Sequence, residues 1–425
     1  MNKSWALLLS GALLVELSGV TASAQVVGTS ANSFAIRDVR VFDGKREFSR
    51  TNVVVIEGRV AAIGQRIAPP AGLAVIEGRG KTLLPGFIDS HVHVFPGAQA
   101  DALRFGVTAE LDMFNLSHEF ARWSAQRESL NAVFEADTWS AGTGVTVPGG
   151  HPNQWVPEDM PRLSGADGAP AFIEARIAEG SNYIKLIVED NAALDPANPL
   201  HTLSRPELCA SVAAARAHGR LVVAHVTNQA NARMAIECGV NGLAHTVVDA
   251  PMSAELVRLA KKRGVFAVST LSLLAAESGA SPGDLPASAD VRLLSASQRG
   301  SLNRTTPLVH PGQLAIAQES VRRMHDAGVI VLAGTDAPAP GTAHGVSMHR
   351  EMALLVQAGF TPVEALAAAT SVPAKVFGLG DRGRIAEGNR ADLLLVDGDP
   401  TVEIAATLRI DRIWKNGYPV DRAVP

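Results

Sequence analysis

Cysteine is scarce in this chain. Only Cys209 and Cys238 occur in 425 residues, and they form no Cys-x-x-Cys pair. A zinc knuckle, a ribbon or an iron–sulfur site is therefore excluded, and any metal centre must be built from histidine and carboxylate. Aromatic residues are 5% of the chain, too few for a platform that stacks nucleic-acid bases. Charged residues are 19%, the net charge is -4, and neither sign forms a long run. Neither a nucleic-acid footprint nor a polybasic membrane patch is present. Beyond the N-terminus no apolar run is long enough to span a bilayer.

What is present is a large apolar fraction, 47%, ample for an extensive core. At the N-terminus Lys3 precedes an apolar stretch from Trp5 to Leu17, and Ala22-Ser23-Ala24-Gln25 follows. This order reads as a secretory signal peptide over residues 1–24, cleaved after Ala24, which implies a periplasmic or secreted protein. The run is shorter than the ~20 residues a membrane anchor needs, so cleavage is the preferred reading and no stable membrane span is expected afterwards. Export would permit a disulfide. The two cysteines nonetheless read as small buried residues in separate helices.

Residues 25–82 alternate short β-rich runs with turns: Phe34 to Val41, Val53 to Glu57, Val60 to Ile63 and Leu73 to Glu77. Ile-Glu-Gly-Arg occurs at 56–59 and 76–79, each as a strand-to-turn junction. Residues 379–425 have the same character, with strands at 391–396 and 410–415. The two ends are expected to combine into one small β-sandwich. Between them, over 83–378, apolar strands alternate with helical segments, as in parallel βαβ units. The strands read as 83–91, 107–113, 135–142, 182–188, 221–226, 242–247, 265–271 and 329–335. The fold class is α/β, a (β/α)8 TIM barrel. Residues 143–170 and 272–312 are long for connections. They follow strands three and seven, at the end of a barrel where active sites lie.

Polar residues close or interrupt these strands in a pattern. His91 and His93 end strand one, in Leu83-Leu84-Pro85-Gly86-Phe87-Ile88-Asp89-Ser90-His91-Val92-His93. Side chains two apart on a strand share a face, as a pair of metal ligands must. Lys185 lies in strand four, His225 in strand five, His245 in strand six and Asp336 at the end of strand eight. Taken singly, a strand histidine is usually a hydrogen-bonded core residue and a strand lysine snorkels to the rim. Together they occupy the ends of five strands of one barrel, where a metal centre would sit.

The Pro-Gly-Phe-Ile-Asp-Ser-His-Val-His segment, with this order of ligands, resembles the amidohydrolase superfamily. The similarity runs over about residues 79–425 and is greatest to the imidazolonepropionase-like and dipeptidase (prolidase-like) branch. The resemblance implies two divalent metal ions, zinc being the expected choice. It implies that Lys185 is carboxylated by carbon dioxide and shared between the ions, with His91, His93 and Asp336 on the first and His225 and His245 on the second. Two cations would activate a water, and Asp336 would carry its proton to the leaving amine. His151, in Pro148-Gly149-Gly150-His151-Pro152, would hydrogen-bond the substrate carbonyl or carboxylate. The bland alternative is a structural loop histidine.

His344 and the segment through Met352 read as packing for the last barrel helix, and Asp89 and Ser90 as braces for strand one. His118, His201, His218, His310 and His325 read as surface residues without partners. Two departures bear on the substrate. His225 is followed by Val226-Thr227-Asn228 with no tyrosine, and strand six has Ala244-His245-Thr246 where the branch often has Glu-His-Gly. The substrate-carboxylate contact therefore does not transfer, and Arg162, Arg176 and Arg304 are the alternatives for it. The expected reaction is hydrolysis of a C–N bond in a dipeptide or N-acyl amino acid. A cyclic amide, lactone or other ester on the same centre is the second reading, and a non-catalytic ligand-binding barrel the third. A small molecule is the expected partner. The sequence leaves the oligomeric state open, a homo-oligomer included.

Overall fold

A computed structural model describes residues 31–116, 119–279, 290–305 and 311–424. The signal peptide expected at 1–24 lies outside the described residues, as do His118 and His310. No described helix is long and apolar enough to cross a membrane.

The chain opens with five strands: β1 (Phe34–Phe42), β2 (Glu47–Ile56), β3 (Arg59–Gly64), β4 (Ala74–Glu77) and β5 (Lys81–Pro85). Eight strands follow: β6 (Phe87–Val92), β7 (Val107–Asp112), β8 (Asp137–Ser140), β9 (Ile184–Ile187), β10 (Val222–His225), β11 (Gly242–Ala244), β12 (Phe266–Val268) and β13 (Val331–Leu332). The last three are β14 (Leu393–Asp397), β15 (Ile410–Lys415) and β16 (Tyr418–Pro419). The α-helices are α1 (Ala98–Arg104), α2 (Phe120–Glu128), α3 (Ala169–Glu179), α4 (Arg205–Ala217), α5 (Gln229–Cys238), α6 (Ala254–Arg263), α7 (Leu271–Glu277), α8 (Ala296–Leu302), α9 (Gln313–Asp326), α10 (Val346–Gln357), α11 (Pro362–Ala368) and α12 (Ser371–Phe377).

Strands β6–β8 and β9–β13 form two parallel sheets. Backbone hydrogen bonds close both seams between them. At one, Asn182 N donates to Ser140 O (2.8 Å), Val145 N to Lys185 O (2.8 Å) and Ile187 N to Val145 O (2.9 Å). At the other, Ser90 N donates to Ala333 O (3.0 Å) and Asp336 N to His91 O (2.7 Å). The result is the expected (β/α)8 barrel, with one large apolar core between strands and helices.

The unit β10–α5–β11 shows how local sequence builds it. Val222, Val223 and Ala224 are buried on both faces, as parallel barrel strands require. Asn228 caps α5, its side chain accepting from Asn231 N at 2.8 Å. Gly239 ends the helix at φ 97, a conformation costly for other residues. The following chain returns directly into β11.

The two chain ends combine as expected, but where a small β-sandwich was expected they form one hydrogen-bonded eight-stranded sheet of order β16-β15-β14-β5-β1-β2-β3, with β4 on β1. Its core includes Phe34, Val41, Val53, Leu393 and Trp414, and Phe34 stacks on Trp414 at 4.8 Å. The segment expected as one strand over 83–91 is in fact two. Leu83–Pro85 belong to β5 in the terminal sheet, and only Phe87 onward enters the barrel. The break is at Gly86, where a Cβ would stand 2.1 Å from Thr108 Oγ1. The long segment after strand seven is also more regular than expected, since α7 and α8 lie within it.

Cys209 and Cys238 correct the sequence reading. They are half-buried and joined as a disulfide between α4 and α5, with Cα atoms 4.7 Å apart. Consecutive βα units place their outer helices side by side, so two outward positions remote in sequence become neighbours.

Candidate metal centre

All six expected ligands and His151 line one cavity of about 690 Å³ at the C-terminal end of the barrel strands. His91, His93 and Asp336 meet where strands one and eight are paired. His91 Nε2 lies 3.3 Å and His93 Nε2 3.1 Å from Asp336 Oδ1. His93 Nδ1 donates to Phe114 O (3.2 Å), which leaves Nε2 with the lone pair that faces the cavity. His245 is oriented by a 2.9 Å bond between its Nδ1 and Thr270 Oγ1. Its ring stands 4.6 Å from that of His91 and 4.5 Å from that of His225. Donor atoms of His91, His245 and Asp336 all lie within 4.8 Å of one another.

Three left-handed residues stand at this site. His245, Thr270 and Asp336 adopt φ of 69°, 43° and 58° at the ends of strands six, seven and eight. Each such left-handed residue costs roughly 1–3 kcal/mol and persists only where the surroundings enforce it. Asp89 is part of that enforcement. Its carboxylate accepts from Thr335 N (2.9 Å), Thr335 Oγ1 (2.6 Å) and His91 N (3.2 Å), tying strand one to strand eight as expected.

The electrostatics suit cations. Burial, with the neighbouring charge of Lys185, holds His91 well below its ordinary pKa. Burial and His225 do the same to His245. Both rings are thus neutral and able to donate. Burial would raise Asp336, but His91, His93 and His245 outweigh it and keep the carboxylate ionised. Burial pulls the Lys185 amine down to about 7, against the attraction of Asp336 and Asp112. Three buried polar atoms of the cluster, Lys185 Nζ, His91 Nδ1 and Asp336 Oδ1, have no hydrogen-bond partner among the described residues. Buried polar atoms are normally satisfied. Three orphans in one cluster of histidine, lysine and carboxylate fit a pair of divalent cations well.

His151 does reach the site. Its ring stands 5.0 Å from that of His225 and edge-on to Trp155, and burial with the charge of His225 lowers it to about 3. Of the three arginines weighed, only Arg304 lines the cavity. Arg162 braces its own loop through the carbonyls of Pro157 and Met160, and Arg176 pairs with Glu179. His344 is structural, bonded to Glu110 (2.6 Å) and to His93 O (3.2 Å). His325 was expected without a partner but lies 3.3 Å from Glu364.

Two carboxylates were missed. Glu189 follows strand four, is buried, and sits 3.3 Å from His225 Nε2. Its oxygens accept from Thr227 Oγ1 and Asn191 N, each at 2.6 Å. Glu277, at the end of α7, also lines the cavity. The signal for Glu189 is that strand four runs from apolar residues straight into a carboxylate, as strand eight runs into Asp336.

Known proteins resemble this chain. Among curated proteins, the imidazolonepropionase of Streptomyces griseus is 28% identical over 393 residues, covering 86% of this chain and 92% of that one. That of Deinococcus deserti is 37% identical over 123 residues, which span 27% of this chain and only 31% of its own length. Among solved structures, an Xaa-Pro dipeptidase with methionine bound in its active site superposes with a TM-score of 0.73 at 23% identity, covering 92% of this chain and 100% of that one. The family model described as "Amidohydrolase family" matches residues 82–420, from β5 through the barrel to the end of the terminal sheet. With the strand-end histidines, the lysine and the aspartate gathered in one cavity, the chain belongs to the amidohydrolase family.

Proposed function

We propose that this protein is a metal-dependent hydrolase that cleaves the C–N bond of a dipeptide or N-acyl amino acid. The observation that carries it is the cluster of orphaned buried donors facing one cavity, with Lys185 among them. On this reading His91, His93 and Asp336 would hold one divalent ion and His225 and His245 a second, and Lys185, as its carbamate, would serve both. The uncharged amine that carboxylation requires is accessible because burial depresses Lys185. Two such ions, zinc by preference, would acidify a water and polarise the substrate carbonyl. Asp336 accepts the proton of the attacking water and returns it to the leaving amine. His151, kept neutral by burial, donates to the carbonyl oxygen as charge develops there. Arg304 is the one arginine of the three placed to meet a substrate carboxylate.

A second reading, a cyclic amide substrate, is favoured by the curated relatives, whose name is imidazolonepropionase. Turnover of a panel of dipeptides, N-acyl amino acids, cyclic amides and lactones by metal-loaded protein tests both. Hydrolysis confined to the cyclic substrates would replace the first reading by the second, and no turnover of any would leave a binding protein. Metal analysis of protein prepared without chelators should give about two ions per chain. Export is proposed as well, supported by the N-terminal segment ending at Ala24 and by the disulfide, a bond at home in oxidising compartments. Mature protein beginning at Gln25 is the expected product, and an intact Met1 on cytoplasmic protein would contradict it.

A further inference from the structure

The cavity wall holds two charged side chains, Glu277 and Arg304, that no oppositely charged group among the described residues pairs with. Glu277 faces the cavity from the end of α7, and among the described residues its carboxylate has no hydrogen bond or ion pair. Its surroundings include Leu273, Leu274 and Leu194. Burial there raises its carboxyl to about 7, and the charge of Asp336 acts in the same direction. The fully buried carboxylates nearby are treated quite differently from this half-buried one. Glu351 accepts from Ser269 Oγ, Leu271 N and Ser272 N, and Glu189 from Thr227 and Asn191. Those are carboxylates with structural work, and the fold supplies their donors. Glu277 receives none, so its acceptors are turned toward whatever enters. Arg304 is the complement. It donates to Ser301 Oγ (3.0 Å) and Pro338 O, and among the described residues no carboxylate pairs with it.

We propose that Glu277 is a specificity-determining residue that receives a cationic amino or guanidino group of the substrate while Arg304 receives a carboxylate, so that the cavity selects an amphoteric, amino-acid-like substrate over a neutral or purely anionic one. A carboxylate in an apolar wall is costly to ionise alone and favourable to ionise against a cation, which makes it a discriminator and not merely a polar patch. The assignment rests on the substrate-cavity reading above and names the chemistry of the group that cavity prefers.

Equilibrium binding tests it without relying on turnover. Metal-loaded wild-type protein and Glu277→Gln are titrated calorimetrically with two matched pairs. One is L-lysine against L-norleucine, and the other L-leucine against 4-methylpentanoate, none of which holds an amide bond that the metal-loaded protein could cleave. Each pair shares its carboxylate and differs only in the cation. Wild type should prefer the cationic member of at least one pair by about tenfold or more, the scale of one charge-assisted hydrogen bond. That preference should collapse in Glu277→Gln. Arg304→Met should likewise lose the preference of wild type for L-norleucine over L-norleucinol, which lacks the carboxylate. Equal binding within both pairs by wild type, or an undiminished preference in Glu277→Gln, overturns the assignment of Glu277. A protein that shows the preference yet hydrolyses no amide keeps this assignment and loses the hydrolase reading. One that hydrolyses amides without the preference does the reverse.

Discussion

His225 Nε2 stands 3.3 Å from Glu189 Oε2, so the strand-five imidazole is held from behind by a buried carboxylate that lies one residue beyond a buried valine. A carboxylate on one ring nitrogen fixes the tautomer and rotation of the ring and leaves the other nitrogen, Nδ1, as the donor. Burial would raise Glu189, but His225 and Thr227 prevail and keep it ionised.

Glu189→Gln should therefore weaken metal binding by ~10–100-fold, the usual scale for losing such an orienting partner. Competition with a calibrated chelator measures it. Activity should return when excess metal is supplied. An unchanged affinity would show that His225 is positioned without Glu189.

Asp336→Asn separates proton transfer from metal holding. The amide keeps the size and one oxygen but cannot accept a proton. Turnover should fall by at least ~100-fold. If saturating metal restores a rate near wild type, Asp336 is only a ligand.

Lys185→Ala should lose activity and at least one metal ion. Lys185→Arg should fail equally, because guanidinium stays cationic and cannot form a carbamate. Near-normal turnover by the arginine variant, with two ions bound, would remove the carbamate from the scheme.

Lys415 joins the terminal sheet to the barrel. Fully buried, its amine lies 3.0 Å from Asp137 Oδ2 in β8 and 2.9 Å from Asp392 Oδ2. Lys415→Met would leave a buried carboxylate short of its cation and should cost ~3–5 kcal/mol of stability. Denaturant unfolding reads this out, and a loss below ~1 kcal/mol would mean that the pair is solvated or otherwise compensated.

The barrel and its metal centre were largely legible because their signals are local. Each of His91, Lys185, His225, His245 and Asp336 stands at or beside the end of an apolar strand, and period-2 geometry alone gathers His91 with His93. What escaped depends on tertiary placement. Glu189 and Asp190 read as the start of a polar loop, since nothing in the sequence says that Thr227 will donate to the first of them. Glu277 faces the cavity only because Thr270 turns left-handed and starts a helix at Leu271, inside a stretch whose Ser, Ala, Gly and Pro content suggested an irregular loop. The bond between Cys209 and Cys238 joins faces of two helices whose adjacency is a property of the barrel and not of either segment.

Asp137 has a bearing on how the molecule is made. It belongs to the third barrel strand, yet both its cationic partners, Arg382 and Lys415, come near the end of the chain. As the polypeptide leaves the ribosome, strand three must wait with an unmatched carboxylate in what will be an interior until those residues emerge. An isolated charge there is strongly disfavoured. Strand three therefore gains its full set of counter-charges only once the segment through residue 415 is in place. The segment that carries Arg382 and Lys415 acts as a latch on strand three, and a chain cut before residue 415 should leave Asp137 short of one counter-charge and be less stable.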